Sequence, residues 1–214
     1  MLDWAKKLKD RVRGVFAEAE QELTALAAFC DKNNLILVSD EVHNDLVFAP
    51  AKHIVLANAV PDISHRLVTL LATTKTFNLA GAMIGSIVTA DDHLREKILR
   101  VTAANGTSFN RLGMMMTETA WRTGDSWLDS LLVYLAENRR IFEDAVNQIA
   151  GVTAMSLDAT YLCWVDFKDT GMTSEEIIRR DEFHYYQDGC GRHVRGWCRS
   201  HSRRVRYRSS CSVV

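Results

Sequence analysis

Two segments carry side chains that could do chemistry together, Ser39-Asp-Glu-Val-His43 and Thr73-Thr-Lys-Thr-Phe-Asn-Leu-Ala-Gly81. Asp40 offers a carboxylate, Lys75 a primary amine and His43 an imidazole. A carboxylate beside a heteroaromatic nitrogen favours its protonated form, because an adjacent negative charge stabilises the cation. An amine of this kind can form an imine with an aldehyde and, once released, move a proton at carbon. Singly, each residue has a plainer reading: a solvated acidic loop or helix cap, a surface lysine, a satisfied structural histidine. Their order, each following an apolar run, is what points to joint chemistry.

Those apolar runs are the elements that must position them. Leu35-Ile-Leu-Val-Ser39 is a continuous apolar stretch of the kind buried on both faces of a parallel sheet, and Leu67 to Ala72 is a second. Asp40 and Lys75 should therefore emerge at strand ends on one edge of the sheet, where open α/β folds bind ligands. Ile84 to Thr89, after Gly81 and Gly85, reads as a third strand. Ala17 to Lys32 carries Leu23, Leu26, Ala27 and Cys30 on one helical face and stops at Asn33-Asn34. Pro61-Asp62 opens a short helical turn. Asp91 is placed to cap a helix reaching about Ala104. Ser108 to Arg122 and Ser126 to Ile149 read as two more helices, broken at Thr123-Gly124-Asp125 and closed by Gly151. Val152 to Ser156 and Tyr161 to Phe167 look like a strand pair, and Thr173-Ser-Glu-Glu176 is a capping box. Alternating strands and helices make the chain α/β, followed by the start of an α+β unit.

Composition sets outer bounds. The chain has 214 residues, 47% hydrophobic and 25% charged, with a formal net charge of −1. That balance gives no reason to invoke nucleic acid, and no apolar run approaches the roughly 20 residues that span a bilayer. The N-terminus is basic but lacks a signal-peptide core, so cytoplasmic residence is the expectation. Trp4, Leu8 and Val12 could mark a helix within Met1 to Val15. Cys30 and Cys163 read as small buried hydrophobes, and the uneven spacing of the five cysteines does not suggest a disulfide scaffold.

From Gly189 the composition changes, with seven arginines, no lysine and no acidic residue. Three readings stand: a disordered or out-of-frame terminus, a basic nucleic-acid-binding arm, or a zinc site from Cys190, His193, Cys198 and His201. Too few apolar residues to pack favours the first. The coding DNA in its other two frames would test a frame change after Arg180.

Ser39-Asp-Glu-Val-His-Asn-Asp-Leu-Val-Phe48 and Thr74-Lys-Thr-Phe-Asn-Leu-Ala-Gly81 resemble the two central motifs of the class I/II aminotransferase superfamily of fold type I, which depends on pyridoxal 5'-phosphate (PLP). The likeness is strongest to the cystathionine β-lyase-like C–S lyase branch, which places histidine where many aminotransferases have tyrosine, as His43 does. Thr117-Glu-Thr-Ala-Trp-Arg-Thr-Gly124, Trp127-Leu-Asp129 and Tyr161-Leu-Cys-Trp-Val-Asp-Phe167 continue it. The resemblance covers roughly Val15 to Arg180.

By this resemblance Lys75 carries the cofactor, Asp40 pairs with the pyridine nitrogen, His43 lies near the ring and Thr74 touches the phosphate. It implies an atypical segment at 1–16, part of the large PLP-binding domain at 17–150, part of a small α+β domain at 151–188, and the Arg-rich tail at 189–214. The family's N-terminal phosphate loop, its stacking aromatic and an Asn-Pro-x-Asn-Pro-Thr-Gly stretch have no counterpart here, and no residue matches the substrate-carboxylate arginine. The implied activity is β-elimination of cystathionine or cysteine conjugates to a thiol, pyruvate and ammonia, impaired by those losses. Transamination and a non-catalytic interaction role are the alternatives. The implied partner is a small amino-acid substrate, in relatives that are homodimers when intact.

Overall fold

The structure is a computed structural model that describes residues 20–173 and 175–177, together with the backbone of Arg208–Ser212. The expected helix near the N-terminus and the four candidate zinc ligands of the tail lie outside the described residues, as does most of the tail expected to be disordered. Two compact units divide the chain, one of Phe16–Leu131 and one beginning at Leu132.

The first unit opens with α1 (Glu20–Lys32), whose Leu23, Ala27 and Cys30 recur at helical spacing and are buried. They pack with Leu37, Leu56, Ile63 and Leu67 into one apolar cluster. β1 (Leu37–Asp40) runs parallel to β2 (Leu67–Leu71), with Leu37 opposite Leu67 and Asp40 opposite Leu70. Between them lie a helical turn, α2 (Leu56–Ala59), and a 3-10 turn at Pro61–Arg66, as the proline predicted. Each core aliphatic withdrawn from water contributes about 1.5–3 kcal/mol.

β1 differs from expectation. Leu37 is buried but Val38, on the opposite face by strand alternation, is 55% exposed, because among the described residues only one face is covered by α1. β3 (Ser86–Val88) also departs from the parallel pattern and pairs antiparallel with β2. The chain between them holds only the turn α3 (Thr73–Thr76) and a 3-10 turn at Ala80–Ala82. Parallel pairing needs a crossover that carries the chain back along the sheet, usually a long helix, and this connection, with only two short turns, feeds β3 back from the same edge.

α4 (Asp92–Ala104) starts where predicted, with the Asp91 carboxylate accepting from the Leu94 N–H at 2.7 Å. α5 (Arg111–Thr123) starts later than Ser108. Asn110 caps it, accepting from Leu112 and Gly113 N–H, while its own amide donates to the Ala82 carbonyl at 2.8 Å. α6 (Asp125–Asn147) follows the break at Gly124 and runs across the boundary between the units.

In the second unit β4 (Thr153–Ala154) and β5 (Leu162–Asp166) pair antiparallel, and the backbone of β6 (Arg208–Ser212) pairs with β5. The capping box forms reciprocally: Thr173 N–H donates to Glu176 and Glu176 N–H to the Thr173 hydroxyl. Cys30 and Cys163 are buried free thiols. Among the described residues no helix is long and apolar enough to cross a membrane.

Candidate active site

Strand alternation sorts the first motif into two sets. Leu37, Ser39 and Glu41 share the core side, where the Ser39 hydroxyl donates to Glu41 Oε1 at 2.9 Å. Asp40 lies on the other side and is exposed. The ladder runs one residue beyond β1, since the Glu41 N–H donates to the Leu70 carbonyl at 2.9 Å. Asp40 thus leaves the sheet at the C-terminal edge of the parallel pair. Lys75 leaves it there too, in the turn that follows β2.

Glu41 is 5% exposed, and a buried carboxylate needs partners. Besides Ser39 it receives His53 Nε2 at 2.9 Å and the Leu56 N–H at 3.4 Å. Burial works to raise its carboxyl, but the bonds from His53 and Ser39, attraction to His53 and the Leu56 amide outweigh it and hold it below the ordinary carboxylate value. The segment between β1 and α2 is thereby tied down at its root.

His43 is also 5% exposed. Burial pushes its imidazole down to about 4, the nearby positive Lys75 adds to the fall, and Asp40 opposes it. At neutral pH His43 is therefore uncharged. Lys75 and Asp40 thus both lie within electrostatic reach of one imidazole.

The Lys75 turn is clamped on both sides. Thr73 and Thr76 are fully buried. The Thr73 hydroxyl bonds the Thr117 hydroxyl of α5 at 2.9 Å, and the Thr76 hydroxyl donates to Asp45 Oδ2 at 2.9 Å. Backbone bonds from Phe77 to Thr73 and from Leu79 to Thr74 close the turn. Asn78 takes the left-handed conformation that asparagine tolerates. The Phe77 ring then stacks on Trp127, with centroids 5.3 Å apart and planes at 28°. Lys75 is exposed and Thr74 half-buried on this rigid turn.

Sequence reasoning passed over Glu41, Asp45, His53 and Thr76 as working parts. Glu41, Asp45 and Thr76 stand inside the two motifs, so nearness to Asp40, His43 and Lys75 was an available signal. His53 carried none. The donor set of carboxylate, uncharged imidazole and exposed amine at one sheet edge fits a pyridine aldehyde cofactor.

Comparison with known proteins agrees. The profile of the aminotransferase class I and II family matches residues 16–200. The chain is 32% identical over 164 residues to the cystathionine β-lyase PatB of Bacillus subtilis, an alignment covering 76% of this chain but 42% of that protein. Among solved structures, a PLP-bound C–S lyase from Staphylococcus hominis superposes with a TM-score of 0.72 at 25% identity, over 92% of this chain and 49% of that one. Cystalysin of Treponema denticola, which contains PLP, gives 0.71 at 27% identity over 79% and 43%. The chain thus spans about half the length of these relatives. A shared edge of amine and carboxylate, a family-wide match and this fold together make the chain a member of the aminotransferase class I and II family, PLP-dependent enzymes that act on small amino-acid substrates.

Proposed function

We propose that the chain carries the lysine-and-aspartate part of a PLP site and serves β-elimination at a sulfur amino acid, as in C–S lyases. The observation that carries this is that Asp40 and Lys75 leave the same edge of the parallel pair, with the buried His43 within electrostatic reach of both. Relatives named cystathionine β-lyase and C–S lyase support the lyase reading.

In this reading Lys75 Nζ would hold the cofactor at its aldehyde group, Asp40 would serve the pyridine nitrogen, and the Thr74 hydroxyl would serve the phosphate. The bound cofactor supplies an electron sink for the pair left at the substrate α-carbon. Lys75, displaced by the substrate amine, takes the α-proton at Nζ. His43, being uncharged, leaves the Asp40 carboxylate to the pyridine nitrogen rather than competing with it as a second cation. The β-thiolate then leaves and takes a proton to become the thiol, and water hydrolyses the released three-carbon enamine to pyruvate and ammonia. Transamination begins with the same proton removal by Lys75 and differs in where the proton is returned.

The first test adds PLP to the protein and follows its visible absorption, with Lys75→Ala as control. The reading expects a band that the variant lacks, and no Lys75-dependent band overturns it. Pyruvate and ammonia released from cystathionine without a keto-acid acceptor separates elimination from transamination, which requires the acceptor.

A further inference from the structure

We propose that Asp45 and Thr76 are a positioning pair that sets the spacing between the loop bearing Asp40 and His43 and the turn bearing Lys75. The inference rests on the reading of Lys75 and Asp40 given above and deepens it.

Each half of the site has its own attachment. On one side, Glu41 anchors to Ser39, His53 and Leu56, and the backbone bonds from Asn44 to Glu41 and from Leu46 to His43 shape the loop. On the other, Thr73 ties the Lys75 turn to Thr117 of α5. These bonds hold each half to its own surroundings. The Asp45–Thr76 bond crosses between them, joining residues 31 apart in sequence at 2.9 Å. Asp45 stands two residues after His43, and Thr76 follows Lys75 directly.

The chemistry suits a brace. Thr76 is 0% exposed, so its hydroxyl has no water to turn to if the bond is lost. A charged carboxylate is a stronger acceptor than a neutral oxygen. A side chain fixed one residue from Lys75 limits where the flexible lysine stem begins, and reacting groups displaced by about 1 Å lose rate heavily.

The test needs no cofactor. The His43 imidazole senses both burial and Lys75, so its NMR titration midpoint reports whether the halves stay in register. The unmodified protein is expected to titrate near 4. Thr76→Val keeps the shape but removes the donor, and should raise the midpoint by about one pH unit or more, toward 6.5. Thr76→Ser keeps the donor and should restore the low value. Asp45→Asn retains an uncharged acceptor and should give an intermediate value, which also covers the case in which Thr76→Val does not fold. Asn110→Ala removes a cap and the bond to the Ala82 carbonyl away from the loop, so it should lower thermal stability without moving His43. An unchanged midpoint in Thr76→Val, or in Asp45→Asn where Thr76→Val is unfolded, overturns the pair, as does an equal shift in Asn110→Ala. A missing Lys75-dependent visible band in the unmodified protein defeats the cofactor reading while leaving the titration to decide the brace.

Discussion

Two stretches of the first unit contrast. From Leu37 to Phe77 the chain buries polar groups and pairs them: Glu41 with Ser39, His53 and Leu56, Thr73 with Thr117, Thr76 with Asp45. From Met83 to Trp127 it does the reverse. Phe109, Leu112, Met114, Met115, Met116 and Trp121 are exposed, and α4 has no buried residue. The order at the site therefore comes from local polar bonds and one compact apolar cluster, and the outward faces of α4 and α5 contribute little to it. Buried hydrogen bonds are directional and costly to leave unmade, so they fix geometry in a way that an open apolar face cannot.

Substitutions should reproduce that contrast as a gradient of effects. Leu46→Ala removes a fully buried side chain from the site loop and should cost about 2–5 kcal/mol in denaturant unfolding. Gly124→Ala should cost about 1–3 kcal/mol, although its backbone is ordinary helical, since a Cβ there would run into the Ala120 carbonyl and the Phe77 ring, reaching Cζ at 2.6 Å. It is a point where the helical stretch does press on the site turn, and it should also disturb the Phe77–Trp127 stacking seen by near-UV circular dichroism. Glu41→Gln should cost about 1–3 kcal/mol in the same unfolding measurement, because one amide cannot accept all the bonds the carboxylate accepts.

The pH dependence sharpens the picture further. Folded His43 titrates near 4 against an ordinary 6.5, so between those values the unfolded chain binds a proton that the folded one refuses. Stability from this group is full above about pH 6.5 and declines as pH falls toward 4. The depressed carboxyl of Glu41 acts in the same direction at lower pH, its contribution being lost on acidification. His43→Asn should flatten the fall between 6.5 and 4 in unfolding measured across pH. Smallest of all, Met115→Gln on the open face of α5, where Met115 is 58% exposed, should change stability by about 0.5 kcal/mol or less. A cost there rivalling that of Leu46→Ala would erase the contrast.

Much of this was legible in the residues. Asp91 as a cap, the Thr173–Glu176 box, the break at Gly124 and the buried Cys30 and Cys163 follow from local chemistry, and each formed. The exposure of Val38 and the direction of β3 were not, since they depend on what packs over a face and how the chain returns. His53 was illegible as a partner of Glu41 because only the path of the intervening loop brings residues 12 apart to 2.9 Å.

By itself the sequence determined which residue types stand at the ends of two apolar strands, because hydrophobic periodicity and caps act over a few neighbouring residues. Tertiary structure alone decided that Thr76 meets Asp45 and that His43 is buried within reach of the charges of Lys75 and Asp40. Desolvation and through-space charge depend on distances between residues remote along the chain, and those distances exist only once the strands have paired.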